Sequence, residues 1–365
     1  MRTLLPMLLL VACARQPGSP PDAPGTAMPP AARPMVIAHR GASALLPEHT
    51  LAAYRRAIED GADAIEPDLV STRDGVLVSR HENEIGGTTD VADRPEFAGR
   101  RTRKRIDGER VEGWFTEDFT LAELKTLRAR ERLPELRSTA NDGRFEIATL
   151  DEIIALAAEA SDARGRELAL VPELKHPTYF ASIGLAMEDR LLAALAAHPY
   201  TRRAPVLIQS FETGNLRELR AKIGDAPNIR LLQLLERPSK QPYDLAASGH
   251  ATTYGEMQQP DGLRTIATYA DLVSPPIASL RVSRTADGHR SALVDDAHAA
   301  GLQVVPWTFR PENTFLQSRY RAGSRGARNE AGSIRQIRDH VEAGIDGLFA
   351  DDPALARRAL DGGPY

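Results

Sequence analysis

Ala64-Ile65-Glu66-Pro67-Asp68-Leu69-Val70, then Ser71-Thr72-Arg73-Asp74-Gly75, then Val76-Leu77-Val78-Ser79-Arg80-His81: the reading of this stretch decides the fold. Its two β-like runs, 64–70 and 76–81, are separated by little more than Thr72-Arg73-Asp74-Gly75. A parallel crossover needs about a dozen residues or more, so these runs must pair antiparallel as a hairpin. A turn centred between Arg73 and Asp74 would set Glu66 opposite His81.

Working outward, seven further β-like runs lie at 35–39, 168–174, 206–210, 229–235, 271–274, 302–308 and 346–350. Helical patterns at 50–60, 150–160, 180–197, 212–222, 291–300 and 333–343 fall between most of them. Thr149-Leu150-Asp151-Glu152 reads as a capping box opening one of these helices. Strands alternating with helices predict an α/β protein with a parallel sheet. Nine runs are one too many for a (β/α)8 TIM barrel, and the hairpin accounts for the extra one. The expected fold is therefore that barrel over residues 35–360, with a small inserted subdomain at about 83–147. The insertion carries a basic stretch (Arg100, Arg101, Arg103, Lys104, Arg105) and a helix capped by Thr120 with Glu123. It is expected over the catalytic face, its basic stretch either a solvated loop or a rim that attracts anionic substrate.

The 365 residues suffice for one large core, and 42% hydrophobic with 26% charged residues is the composition of a globular protein. A net charge of −4 gives no support to nucleic-acid binding, which calls for a basic face. Only five of the 46 basic residues are Lys (104, 125, 175, 222, 240), a bias read as genome composition. The single cysteine, Cys13, excludes an intrachain disulfide and a thiolate metal cluster. It follows an apolar stretch, Leu4 to Ala12, too short to span a bilayer and suited to a signal peptide. Leu10-Val11-Ala12-Cys13 resembles the lipobox of bacterial lipoproteins, in which the cysteine is lipidated and becomes the first mature residue. The expected organisation is a leader over 1–13, a membrane anchor on Cys13, and an extended tether over 14–34, where seven prolines preclude a packed core. Such a protein would be exported to the periplasm and, where an outer membrane exists, sorted there.

In a barrel of this kind, function gathers at the C-terminal ends of the strands. His39-Arg40 ends the first strand, and Glu66 and Asp68, two apart near the end of the second, point to one face. Glu173 and Lys175 repeat that geometry in Val171-Pro172-Glu173-Leu174-Lys175, and the hairpin returns His81 to the level of Glu66. Three converging carboxylates offer hard oxygen ligands, which favour Ca²⁺ or Mg²⁺ over zinc. With no cation they would repel one another. Arg40 and Lys175 suit phosphate oxygens, Arg as a fork and Lys as a point charge. Metal-assisted attack on a phosphodiester needs this set of two imidazoles, a carboxylate cage and cationic groups. Singly, each has a bland alternative, such as an exposed strand face for Glu-x-Asp; the argument lies in their coincidence at strand ends. His49, His176, His198 and His250 are read as structural. Glu48 is either a dipole partner for the first helix or a support behind His39, and Trp307 is either core or a substrate wall.

These segments resemble the glycerophosphodiester phosphodiesterase family, particularly its exported bacterial type. The resemblance rests on His39-Arg40-Gly41-Ala42-Ser43 with Leu46-Pro47-Glu48-His49-Thr50, on Glu66-Pro67-Asp68-Leu69, and on His81 followed by Thr88-Thr89-Asp90-Val91-Ala92. Asp118-Phe119-Thr120-Leu121, Pro172-Glu173-Leu174-Lys175, Gln209-Ser210-Phe211 and Asp346-Gly347-Leu348-Phe349 with Asp351 keep the family's order. The resemblance implies a barrel like that of phosphatidylinositol phospholipase C, with His39 and His81 as the catalytic pair. It further implies Glu66, Asp68 and Glu173 as calcium ligands and Arg40 and Lys175 as phosphate contacts; Gln209, in a matching segment, and Trp307, by its place at a strand end, are added as candidate substrate-binding residues. It departs at Glu82, where Asp is commoner, and at Glu84-Ile85-Gly86-Gly87. The implied reaction hydrolyses diesters such as glycerophosphocholine or glycerophosphoethanolamine to sn-glycerol 3-phosphate and an alcohol. Two alternatives are a lysophospholipase D at the membrane and a surface binding lipoprotein that keeps the barrel as a scaffold.

Overall fold

A computed structural model describes residues 33–362, other than 225 and 287. The leader, Cys13 and nearly all of the 14–34 tether lie outside the described residues. Among the described residues, no helix is long and apolar enough to cross a membrane.

The fold is the expected α/β barrel. Its parallel strands are Met35–His39, Ala64–Glu66, Ala169–Leu170 resuming as Glu173–Leu174, Val206–Ser210, Ile229–Leu234, Leu272–Ser274, Gln303–Val304 and Gly347–Ala350. The last two close the cylinder through Asp346 N–H to Val304 O at 2.9 Å and Phe349 N–H to Pro306 O at 3.1 Å. Alternation along each strand sends one row of side chains inward. Ile37, Ala64, Val171, Leu207, Leu232, Leu272, Val305 and Phe349 fill the interior as a separate apolar cluster. The next inward position on seven of these strands is polar or aromatic: His39, Glu66, Glu173, Gln209, Ser274, Trp307 and Asp351. The functional layer is thus the continuation of the core by one pleat.

Two of the sequence-derived runs prove to be interrupted. Pro67 and Pro172 lack an N–H for the ladder, so 64–70 divides into Ala64–Glu66 and Asp68–Ser71, and 168–174 divides likewise. The helix expected over 180–197 is two helices, Pro177–Ser182 and Glu188–Ala197, with Gly184 at φ +77° between them. Capping boxes on Thr149 with Glu152 and on Thr120 with Glu123 are both formed.

The hairpin pairs Asp68–Ser71 with Leu77–Ser79, but one residue away from the expected register. Thr72 N–H bonds Val76 O at 3.0 Å, and Gly75 at φ +81° takes the left-handed position of a three-residue turn. Asp68 O therefore accepts from Arg80 N–H at 2.9 Å, and Glu66 is not opposite His81. Register is set by the turn, and the glycine adds the residue that a centred two-residue turn omits.

From residue 83 the chain leaves the barrel and returns at the helix Leu150–Arg164. Within this excursion the basic stretch is neither a loop nor a free basic rim. Thr102–Ile106 and Glu109–Gly113 form a ribbon turned by Asp107 and Gly108, both at positive φ. Arg101 and Arg103 pair with Glu112, Lys104 with Glu117 and Asp118, and Arg100 with Glu123.

On the helix Glu330–Glu342, His340 is fully buried against Phe309. Its Nδ1–H donates to Gln336 O at 2.7 Å, and its Nε2 has no partner. Burial holds its pKa down at about 4, so the unfolded chain, near 6.5, takes the proton first. The neutral ring's contribution is present above pH 6.5 and is lost as the pH falls towards 4. Urea unfolding of wild type and His340→Phe at pH 7 and pH 5 should show the wild type losing about 2 kcal/mol more over that interval.

Candidate active site

Arg40 leaves the first strand in the left-handed region at φ +59°, and Gly41 follows at +86°. A Cβ on Gly41 would lie 2.7 Å from the Ala53 carbonyl carbon, so only glycine lets the first helix pack against this turn. The turn directs Arg40 N–H to Glu66 Oε2 at 2.7 Å, Arg40 Nη1 to Glu48 Oε2 at 3.0 Å, and Arg40 Nε to within 3.5 Å of Asp68 Oδ2. Strand register then sets His39 beside Glu66, Asp68 beside Glu173, and Glu173 beside Gln209.

Glu66, Asp68 and Glu173 are buried, and each offers an oxygen within 4.8 Å of the others. Gln209 Nε2 donates to Glu66 Oε1 at 3.1 Å, Lys175 Nζ reaches Glu173 Oε1 at 2.7 Å, and His49 Nε2 donates to Asp68 Oδ2 at 2.8 Å. Asp68 Oδ1 remains buried with no hydrogen-bond partner. Burial pushes Glu173 up to about 8, with Lys175 opposing and Asp68 reinforcing it; burial, Asp68 and Glu173 push Glu66 well above its usual range. For Asp68, burial is outweighed by Lys175 and His49, and its pKa falls. An all-oxygen set that is mutually repulsive, with one orphaned oxygen, fits a hard divalent cation.

The two rings expected to act face the same cavity, of about 790 Å³. His39 Nδ1 is 2.6 Å from Asp351 Oδ1; a carboxylate only accepts, so Nδ1 carries the hydrogen and Nε2 keeps its lone pair, 3.3 Å from Arg40 Nε. His81 Nδ1 is bonded in the same way to Glu82 Oε1. Burial, then Arg40, hold His39 down at about 4 against Asp351. Burial, then Arg40 and Lys175, hold His81 at about 3. Both rings are therefore neutral at pH 7.

Arg40, Lys175, Gln209 and Trp307 all line this cavity. Gln209 spends its amide on Glu66 and Val171 O, which makes it a support for the carboxylate. Trp307 stands edge-on to Phe211 at 5.8 Å and donates Nε1–H to the carbonyls of Leu235 and Ser274, forming a wall. Glu48 makes no direct contact with His39: it binds Arg40, whose Nε lies 3.3 Å from His39 Nε2, and Arg132, with Arg80 at 4.0 Å. His49, read as structural, is the partner of a proposed metal ligand, and Tyr54 OH, 2.8 Å from its Nδ1, fixes it from the first helix. His176 bonds Asp107 at 2.5 Å at the cavity edge, so the ribbon tip lends the rim acidic groups, Asp107 and Glu109. His198 and His250 lie outside this cavity. Asp351, Arg310, Arg132 and Arg137 had no assigned role. The signal for Asp351 was its place two residues after inward-facing Phe349; the arginines gave none.

A model of the glycerophosphoryl diester phosphodiesterase family matches residues 39–355, and the chain belongs to that family. A glycerophosphodiester phosphodiesterase of Arabidopsis thaliana is 34% identical over 379 residues, covering 95% of this chain and 94% of its own. One of Haemophilus influenzae is 25% identical over 343 residues, covering 86% and 89%. Among solved structures, a glycerophosphoryl diester phosphodiesterase of Silicibacter pomeroyi has a TM-score of 0.62 at 21% identity, covering 90% of this chain and 94% of its own. An Oleispira antarctica phosphodiesterase in complex with the product sn-glycerol-3-phosphate has a TM-score of 0.57 at 20% identity, covering 90% and 97%. These two likenesses concern the fold.

Calcium added to chelator-treated protein should raise Tm, with about 2.7 kcal/mol of stabilisation at one hundred times Kd. Asp68→Asn and Glu173→Gln should each abolish the shift in a thermal melt.

Proposed function

We infer that this protein is a divalent-cation-dependent glycerophosphodiester phosphodiesterase, forming sn-glycerol 3-phosphate and an alcohol. The observation that carries this reading is the convergence of His39, His81, Arg40, Lys175, Glu66 and Glu173 on one cavity, with buried Asp68 within reach of both glutamates, in a chain of that family. Glu66, Asp68 and Glu173 would hold the cation, Ca²⁺ by preference and Mg²⁺ as the other hard ion. A bound cation supplies charge neutralisation for the phosphoryl oxygens.

The chain's own groups divide the remaining work. Arg40 and Lys175 bind the anionic phosphodiester and orient it between the two rings. His39, its Nδ1–H held by Asp351, presents Nε2 as the base that takes the nucleophile's proton. His81 protonates the departing alkoxide. Burial, then Arg40 and Lys175, depress its proton affinity, and an anionic diester beside the two cations offsets their charge. With a side chain 28% exposed, against 10% for His39, His81 sits on the open side, where an alcohol of variable size can leave.

Chelator treatment should abolish turnover of glycerophosphocholine, and Ca²⁺ should restore it; chelator-insensitive turnover would count against the cation site. His39→Ala and His81→Ala should each lower kcat by about 10²–10⁴-fold. Lysophosphatidylcholine tested beside glycerophosphocholine should be the poorer substrate, and a reversed preference would make the enzyme a lysophospholipase D.

Export as a lipoprotein is part of the same proposal, supported by Leu10-Val11-Ala12-Cys13 and the proline-rich residues that follow. Metabolic labelling with palmitate should mark the wild type and not Cys13→Ser, which should leave the membrane fraction.

A further inference from the structure

Both histidines are backed by the same construction, and both constructions end on one short piece of the excursion. His39 Nδ1 is bonded to Asp351, and Asp351 Oδ2 accepts from Arg137 Nη2 at 2.6 Å. His81 Nδ1 is bonded to Glu82, and Glu82 accepts from Arg132 at 3.0 and 2.6 Å. The two arginines are five residues apart, outside the barrel, and neither lines the cavity.

Each guanidinium is also tied to a second carboxylate. Arg132 forks onto Glu48 at 2.9 and 2.7 Å, and Glu48 in turn holds Arg40. Arg137 bonds Glu312 at 2.8 and 3.3 Å and the Ser43 carbonyl at 2.9 Å. Arg137 is nearly buried, its side chain 6% exposed, so its bonds are not those of a solvated surface pair. A lone charge–charge contact would do with lysine. Arg132 meets Glu82 and Glu48, and Arg137 meets Glu312, each through two N–H groups of one rigid plane. That fork holds the Arg137 plane in place while one of its N–H groups reaches Asp351, which Arg310 Nε also approaches at 3.1 Å, so the carboxylates and the rings they hold are oriented together.

We propose that residues 132–137 form a strap that locks the ring orientation and tautomer of both histidines, with Arg132 and Arg137 as its positioning residues. The inference rests on the phosphodiesterase reading for its kinetic consequence alone. The excursion is then part of the catalytic apparatus: its ordering assembles the acid–base pair.

The test compares Arg132→Ala and Arg137→Ala with Arg100→Ala, a change on the same excursion that removes the pairing with Glu123 and Asp118 O and the stacking on Phe97 and Phe119, none of which touches either histidine or its carboxylate. The first two should lower kcat by about 10- to 100-fold with KM little changed, and guanidinium added to the assay should restore part of it. Arg100→Ala should leave kcat as in wild type. Without substrate, the low-field imidazole N–H resonances in proton NMR of the wild type should include one from His39 and one from His81, assigned by their loss in His39→Gln and His81→Gln. Arg137→Ala should lose the first and Arg132→Ala the second. Should an alanine variant fail to fold, the Lys variant, which keeps the charge and not the fork, carries the same kinetic and NMR readouts. Persistence of both resonances, a loss confined to KM, or an equal loss in Arg100→Ala would overturn the strap. Absence of any glycerophosphodiester turnover by the wild type would instead defeat the functional reading and leave the NMR outcome standing.

Discussion

Three buried carboxylates within reach of one another are the constraint around which the site is built. Buried anions persist only when paired, hydrogen-bonded or bound to a cation. Here Lys175 answers Glu173, His49 and Arg40 answer Asp68, and the Arg40 N–H with the Gln209 amide answers Glu66. Those partners leave Glu66 and Glu173 raised and one Asp68 oxygen without a donor, so the protein alone leaves the charge balance incomplete. The missing positive charge is the reason to assign a divalent ion to this cage.

The same electrostatics govern the histidines. Cations close enough to grip a phosphate also drive protons off neighbouring imidazoles, and burial adds to that effect. Asp351 and Glu82 partly oppose it, and they also fix which nitrogen faces the cavity. Those carboxylates need counter-charges of their own: Arg132 answers Glu82 and Arg137 answers Asp351 from outside the barrel, and Arg310 answers Asp351 from the cavity side. Charge compensation therefore propagates outward in layers, from the cation site to the rings, to their carboxylates, and to the excursion.

The barrel and the excursion contribute different things. The barrel fixes positions through register: a residue one pleat above the core, such as His39 above Ile37 or Glu66 above Ala64, points inward by necessity. The excursion fixes orientation, and through Asp107 and Glu109 it shapes the cavity edge. Of its basic residues that from the sequence suggested an anion-attracting rim, Arg100, Arg101, Arg103 and Lys104 are paired with its own acids.

Local chemistry made much of this legible in the sequence. The period of two along each strand, the short link after Ser71 and the capping boxes are short-range signals, and they were enough for the barrel, its hairpin and the inward-facing His39, Glu66, Asp68 and Glu173. Pro67 and Pro172 interrupt their strands for a local reason as well, though the period alone runs through them. What the sequence could not determine depends on distant partners. The hairpin register turned on the φ of Gly75, and the role of Glu48 on where three arginines fold. His49 and Asp351 became site residues only once Asp68 and His39 were brought to them, over sequence separations of 19 and 312 residues. A charged side chain takes its meaning from the charge it meets, and tertiary structure alone decides that meeting.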